Sequence, residues 1–455
     1  MKRNPLSRRR FLSRSAAAAA GVVAGTVWRP GKAPARSDMK KKFVIAVMGC
    51  GGRARFLLND CLCTRKDVEV ACVCDIDAKR LGEGVTLVEK LTGRKPNAVA
   101  DYRRMLDDRN VHAVFSITPD HWHALSTIVA CQAGKDVYVE KPCSQNVWEG
   151  RKMVEAARKY NRVVQVGAQT RSGNYTRQAA EYIRAGRLGK VHLVRVANMK
   201  QWDSIGRKPD APVPTGVDYD AWLGPAPERP FNVNRFHYTW HWHWDYSGGD
   251  IINDGVHQID AARYLLGQDY PTAVVSSGGK FTTKDDDADT PDTQIATWDF
   301  ADARMVFEMS VRAPYMEKLA WELRDKLDVW PNWQFDGMRI ELYGTKGLMF
   351  FERHGGGWQI FENSRKIIAQ ANDRHPHHAH IDDFFACVES RKKPNGDVEE
   401  LHRSTVLCQI ANISYRLGGR QLKFDGTNET FPGDAEATAM LKRVGRPPYH
   451  IPDAV

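Results

Sequence analysis

Glu140-Lys141-Pro142 closes a short apolar run, and the proline denies Lys141 a helical backbone. An ammonium placed there projects past a strand end, where it can hydrogen-bond a hydroxyl and ease its deprotonation. Further along, Gly248-Gly249-Asp250-Ile251-Ile252-Asn253-Asp254-Gly255-Val256-His257-Gln258-Ile259-Asp260 opens a helix that runs to Leu266. Asn253 and His257 are four apart, and His257 and Asp260 three apart, so the three are expected to share one helical face. A histidine beside a carboxylate is a natural acceptor for the proton of an alcohol losing hydride. A third cluster is Gly49-Cys50-Gly51-Gly52-Arg53-Ala54, a Gly-x-Gly-x-x-Ala turn between a strand-like and a helix-like segment. Glycines at such a turn let the backbone approach a pyrophosphate seated at the next helix. Asp75 ends the following apolar run, where a carboxylate binds ribose hydroxyls and repels a 2′-phosphate. That favours NAD; Arg53 and Arg80 nearby leave NADP open.

The elements that position these residues are legible in the apolar pattern. Strand-like runs lie at 43–48, 68–74, 111–117, 136–140 and 163–166. Helix-like segments at 53–61, 80–91, 102–107, 123–133 and 149–160 separate them. Strand alternating with helix predicts a parallel, doubly wound sheet, whose carboxyl edge is the ligand crevice. After about residue 165 glycines and aromatics become denser. Longer strands are expected at 191–198, 272–278, 293–300, 305–312 and 338–343, with helices at 377–391 and 401–417 and an extended tail at 446–452. The expectation is an α/β N-terminal Rossmann domain over 41–162 and an α+β C-terminal domain over 163–455, a mostly antiparallel sheet with helices on one face.

Residues 1–35 read as a leader. Ser7-Arg8-Arg9-Arg10-Phe11-Leu12-Ser13 precedes an Ala-rich apolar stretch, and Ala33-Pro34-Ala35 offers a cleavage site. That is the pattern of a twin-arginine signal, which implies an exported, periplasmic protein that takes up its cofactor before export. No apolar run is long enough for a stable membrane span. The formal charge of +11 does not point to nucleic acid. Twelve Lys or Arg against one Asp lie in residues 1–42, which accounts for the whole surplus; the remaining chain is neutral. Nine irregularly spaced cysteines are no disulfide framework and give no zinc spacing, and Cys72 and Cys74 read as buried small hydrophobes.

Two histidine clusters invite a metal reading, and in both another reading is preferred. In His237-Tyr238-Thr239-Trp240-His241-Trp242-His243-Trp244, His241 and His243 would share one face of a strand, but no carboxylate or cysteine completes a ligand set. Aromatic platforms for a sugar ring fit better. His375-Pro376-His377-His378-Ala379-His380 is expected to be a solvated loop or cap, and Asp285-Asp286-Asp287-Ala288-Asp289 a solvated hairpin loop. No metal is expected.

Gly49-x-Gly51-Gly52-Arg53, Thr118-Pro119-Asp120-His121-Trp122-His123, Glu140-Lys141-Pro142 and Gly248-Gly249…His257-x-x-Asp260 resemble the glucose–fructose oxidoreductase / inositol dehydrogenase (Gfo/Idh/MocA) family over residues 41–455. Val166 to Arg171, Trp222 to Pro227 and Arg235 to Tyr238 resemble its twin-arginine-exported branch. The resemblance implies that the C-terminal domain is a large open-faced sheet that binds substrate, and it implies NAD(P) binding, a sugar or cyclitol substrate, and a homo-oligomer, dimer or tetramer, packed through that sheet. It implies Lys141 and His257 as the catalytic pair, with Asn253 and Asp254 beside them. It implies Gly49, Cys50, Gly51, Gly52, Arg53, Asp75, Thr118, Pro119, His121, Glu140, Lys141 and Gln169 at the cofactor. Trp122, His123, Tyr238, His241, Trp242 and Asp260 become candidates for the substrate pocket. The family's dehydrogenases often carry Asp four residues before the catalytic His; here that residue is Asn253, which cannot accept the proton, and Asp254 is the alternative. The leading expectation is an NAD(P)-dependent oxidoreductase acting on a secondary hydroxyl. A glycosidase or epimerase-like enzyme with transient internal oxidation, and a non-catalytic sugar-binding protein, are the alternatives.

Overall fold

The computed structural model describes residues 42–363 and 366–455; the expected leader lies outside them. Six short strands form the first sheet: β1 Phe43–Met48, β2 Val68–Cys74, β3 Asn97–Val99, β4 Ala113–Ser116, β5 Asp136–Val139 and β6 Val164–Val166. Their order is β3-β2-β1-β4-β5-β6, and every pairing is parallel. The near-continuous apolar sequence of β1, β4 and β5 follows from burial on both faces. The strand order reverses between β1 and β4, and the crevice opens beyond their carboxyl ends.

Helix Ala78–Thr92 begins where Asp77 accepts the amides of Lys79 and Arg80, and ends at Gly93 in the left-handed conformation. Helix Asp120–Gln132 is buried along nearly its whole length. A late segment also completes this layer. Helix His377–Ser390 brings Phe384 and Phe385 against Phe43, Phe115 and Tyr138, with ring centroids 4.7–6.0 Å apart.

The second sheet has nine strands. They are β7 Val191–Met199, β8 Ala273–Gly279, β9 Thr293–Asp299, β10 Arg304–Ser310, β11 Arg339–Gly344, β12 Gly347–Glu352, β13 Trp358–Phe361, β14 Ile367–Ala371 and β15 Leu422–Lys423. The order is β14-β13-β12-β11-β7-β10-β9-β8-β15, antiparallel except for β7 with β10. Helices Asn174–Arg184, Val256–Leu266 and Val398–Arg416 cover one face over a core that includes Trp298, Phe307 and Phe351. Fully burying each such side chain contributes roughly 1.5–3 kcal/mol.

This is the expected pair of folds, with four adjustments. Strand β6 pairs with β5, so the first sheet runs past the expected boundary at residue 162. Strands β3 and β12 to β15 were not foreseen; β12 is a continuous apolar run, Gly347-Leu-Met-Phe-Phe-Glu352, without strand alternation. The helix expected from residue 248 begins as a wide π turn, Ile251–Gly255, before Val256–Leu266. The segment 237–244 is not a strand: Thr239–Trp242 forms a 3₁₀ turn.

Candidate active site

A single cleft of roughly 860 Å³ runs from the carboxyl ends of β1, β2 and β4 to the start of helix Val256–Leu266. At one end lies the glycine turn. Gly49 follows β1 with φ +91°, and a Cβ there would stand 2.3 Å from the carbonyl oxygen of Ile117. Only glycine fits. A Cβ at Gly51 would sit 3.0 Å from the Arg80 guanidinium. Asp75 accepts the amides of Cys50 at 2.7 Å and Asp77 at 3.0 Å, which ties the turn to the end of β2; burial pushes its carboxyl up despite those bonds. Arg53 bonds Glu140 at 2.7 Å. Thr118, Pro119, Glu140 and Gln169 line the same cleft. A bare-backbone turn below an acidic strand end suits a dinucleotide's pyrophosphate and adenosine ribose.

Two residues expected at the cofactor do not line the cleft. The Cys50 side chain is buried against Gly84, and only its main-chain amide serves the site, through Asp75. His121 is buried beneath the wall, with Nε2 2.8 Å from the carbonyl of Trp222; burial pulls its pKa down to about 3.

The proton-handling groups meet deeper in the cleft. Lys141 follows β5 at a cis peptide to Pro142. Its ammonium donates to the carbonyl of Asn253 and to Asn253 Oδ1 at 3.0 Å. Burial lowers the Lys141 pKa although Asp254, Asp120 and Glu140 oppose the shift. His257 is buried and held well below its usual pKa, first by burial and then by Arg353 and Lys141, so it is a neutral imidazole at pH 7. Asp120, which the sequence reading left out of the site, also lines the cleft. Its carboxylate accepts from Ser247 Oγ at 2.5 Å, and burial pushes it up to about 7.

Asp254 has a different role from a catalytic carboxylate's. Burial would raise its pKa, yet Lys200, Lys318 and Arg353 together hold it well below the usual range. Lys200 and Lys318 lie 2.6 and 2.7 Å from Oδ2, and Arg353 2.9 Å from Oδ1. It lines the cleft as a clamped anion.

Among the expected substrate residues, Trp122, Tyr238 and His241 line the cleft. The Trp122 indole donates to the carbonyl of Trp222 at 3.1 Å and meets Tyr449 edge-on at 5.5 Å. His241 stacks on Trp240 with centroids 3.6 Å apart, and burial lowers its pKa to about 3. The other three face elsewhere. His123 lies between the carbonyls of Pro142 (2.7 Å) and Thr118 (2.9 Å), bracing the two turns that carry Lys141 and Pro119. Trp242 packs beneath Trp202, outside the cleft. Asp260 is 1% exposed and bonded twice by Arg171 Nε, once by Arg171 Nη2 and once by Ser404 Oγ, so it is a buried structural carboxylate.

The expected solvated histidine loop is also corrected. His375 and His377 line the cleft, with ring centroids 3.9 Å apart, and His380 is buried. Arg353, His354 and Arg324 join them on the same wall. The one signal in the sequence was Arg353-His354-Gly355-Gly356-Gly357, a charged pair followed by a run of glycines. Among the described residues, no group of three or more His, Cys, Asp or Glu could hold a metal ion.

Comparison with known proteins accords with this geometry. Residues 43–168 match the family model "Oxidoreductase family, NAD-binding Rossmann fold". Residues 186–309 and 336–451 match "Oxidoreductase family, C-terminal alpha/beta domain". Levoglucosan dehydrogenase of Pseudarthrobacter phenanthrenivorans is 27% identical over 173 residues, 38% of this chain and 37% of that protein. Myo-inositol 2-dehydrogenase of Thermotoga maritima is 24% identical over 285 residues, 62% of this chain and 68% of that protein. The crystal structure of the WlbA dehydrogenase from Bordetella pertussis, in complex with NADH and UDP-GlcNAcA, has the same fold. Its TM-score is 0.62 at 19% identity, over 85% of this chain and 99% of that one.

Proposed function

We propose, from the premise that the chain belongs to the Gfo/Idh/MocA family of NAD(P)-dependent oxidoreductases, that it oxidises a secondary hydroxyl of a sugar, cyclitol or glycoside. The observation that carries the reading is the meeting of Lys141 and a neutral His257 in the cleft whose other end is the Gly49–Asp75 cradle. When bound, NAD supplies the carbon that takes up hydride. Gly49, Gly51, Asp75, Thr118 and Pro119 hold and orient it.

Lys141 donates a hydrogen bond to the substrate hydroxyl, and its lowered pKa makes it the stronger donor. His257 takes the hydroxyl proton, which a neutral imidazole can do and an imidazolium cannot. Asn253 aims Lys141, and His123 braces the turn beneath it. Trp122, Tyr238 and His241 offer apolar faces and flanking polar atoms to a sugar ring. The proposal includes export: residues 1–35 act as a twin-arginine signal, and the folded protein leaves with NAD bound. It includes a homo-oligomer packed through the uncovered face of the nine-stranded sheet.

The test is mass spectrometry of nucleotide released from the purified, denatured chain, followed by incubation with sugars, cyclitols and glycosides at the reduced-nicotinamide absorbance band. Bound NAD and its net reduction by one class of polyol support the reading. Product without net reduction replaces it with transient internal oxidation, and a chain that binds no nucleotide defeats it. N-terminal sequencing of chain recovered from the cell envelope tests the leader; an intact Met1 in a cytoplasmic fraction rules export out.

A further inference from the structure

One wall of the cleft holds more cationic and donor groups than its own residues satisfy. Arg353 follows β12 and leads into Gly355, Gly356 and Gly357, with φ of +103°, +73° and +83°. A Cβ on Gly355 would lie 2.6 Å from the carbonyl oxygen of Arg324, and one on Gly357 would lie 1.8 Å from that of Ala371. The glycines thus let the Arg353 loop press against the Arg324 segment and set two guanidiniums on one wall.

Asp254 takes one end of Arg353 but leaves its Nε without a partner, on a residue only 6% exposed. Arg324 bonds the carbonyl of Leu319 at 3.0 Å and lies over the Trp321 ring at 4.4 Å; among the described residues no carboxylate pairs with it. His375 Nδ1 and both ring nitrogens of His377 are also buried without partners. Burial, then neighbouring Arg353, lowers Arg324 to about 10. Burial and the cations around them keep His354, His375 and His377 neutral. A buried donor left unmade is costly, and two adjacent guanidiniums repel. A neutral hydroxyl satisfies one or two such donors; an oxyanion accepts several and cancels charge as well.

We propose that the substrate carries an anionic group, a carboxylate or a phosphate, received by Arg324 and Arg353 beside His375 and His377. The inference rests on the reading of the cleft as the active site of a sugar-directed oxidoreductase and narrows its substrate class. The wall borders the turn that fits the dinucleotide's pyrophosphate, with Phe56 4.8 Å from His377, so the substrate's anion is tested with that turn already filled by NAD.

The test uses the full chain loaded with NAD. Calorimetry measures affinity for D-glucuronate, D-galacturonate and the two hexose 6-phosphates, each against its neutral hexose, and absorbance follows turnover of each. At least one anion is expected to bind roughly 10-fold or more tightly than its neutral counterpart, the scale of a charge-assisted bond. Arg324→Gln should narrow that ratio by roughly 10- to 100-fold, and Arg324→Lys should restore part of it. Preference for the uronates assigns a carboxylate, and preference for the phosphates assigns a phosphate. Neutral hexoses bound as well as all the anions, or a preference untouched by Arg324→Gln, overturn the inference. Arg324-dependent anion binding without any turnover keeps the inference and removes the dehydrogenase reading; turnover of neutral sugars without anion preference does the reverse. If Arg324→Gln does not fold, added salt decides: weakened anion affinity with steady hexose affinity in the unaltered protein supports the site, and equal response refutes it.

Discussion

Replacing Asp260 by alanine separates a structural carboxylate from a substrate ligand. The side chain is 1% exposed, and Arg171, its partner, is 4% exposed. Arg171 donates to Asp260 at 2.8, 3.0 and 3.1 Å, and Ser404 Oγ donates at 2.6 Å. Without the carboxylate, Arg171 keeps the Tyr264 ring at 4.9 Å and, as its one anionic partner among the described residues, Glu400 at 3.4 Å, which Arg263 already holds at 2.7 Å. Two buried guanidiniums would then share one partly exposed carboxylate. Removing one partner of such a pair costs about 3–5 kcal/mol, and Ser404 Oγ loses its shorter bond, keeping the Glu400 carbonyl at 3.3 Å. Asp260→Ala should therefore shift the denaturant midpoint down strongly. At a temperature where the variant is still folded, KM for the sugar should stay near that of the unaltered chain. An unchanged midpoint combined with a raised KM would refute the reasoning and return Asp260 to the substrate pocket.

Lys141→Met should leave bound NAD in place and lower kcat by roughly 10²- to 10⁴-fold, the range of one positioned acid–base group; nucleotide content and turnover check both halves. Gly49→Ala should yield chain purified without nucleotide, because the new methyl meets the Ile117 carbonyl at 2.3 Å in a strained backbone. Stability should fall with acid. His121, His241 and His377 titrate at about 3 and His380 at about 4 when folded, against roughly 6.5 unfolded. Their contribution is complete above pH ~6.5 and is lost as pH falls toward the folded values, at roughly 1–2 kcal/mol per pH unit for each histidine. Asp120 and Asp336, raised to about 7, work in the opposite sense but are fewer. Denaturation midpoints at pH 7 and pH 5 check the sign: a midpoint higher at pH 5 contradicts it.

The first sheet was legible because buried parallel strands are written as short apolar runs, each closed by a chemically distinctive turn. Gly49, Asp75 and Lys141 all follow such runs, and all three line the cleft. The far wall was less legible for a physical reason. Arg324, Arg353 and His375 come from loops whose neighbours are distant in sequence, and no local period marks them. The glycines after Arg353 and the histidines of 375–380 were the local hints, and neither told what they would meet. The alternation in Trp240-His241-Trp242-His243 has the period of a strand, but the segment joins neither sheet, and the Trp242 carbonyl accepts from the amides of Asp289 and Thr290. It turns instead, with His243 Nε2 2.8 Å from the carbonyl of Asn234 and the Gly249 amide donating to the carbonyl of His241. Asp260 was misplaced because a helical wheel specifies an angle and not the neighbour found there. Three residues beyond His257, the helix already faces Arg171 and Ser404.

The departure at Asn253 follows from its two neighbours. Its Oδ1 accepts from Lys141 at 3.0 Å, and its Nδ2 donates to Asp250 Oδ1 at 3.2 Å. A carboxylate could fill the first role but not the second, since it has no donor and would repel Asp250. Asp250 is itself committed, bonding Lys200 and Asn198. An amide is therefore the side chain that links Lys141 to this anion without adding charge. Its neutrality has a consequence for the chemistry. A carboxylate touching Lys141 would stabilise the ammonium and raise its pKa, whereas the amide fixes its direction and leaves burial free to lower it. The wide turn Ile251–Gly255 completes the arrangement: Asn253 faces Lys141 while Asp254, one residue on, reaches Lys200, Lys318 and Arg353. Two adjacent residues thus take two separate tasks. Asn253 aims Lys141, the acid–base group of the proposed reaction, and Asp254 anchors the cationic wall proposed to receive an anion.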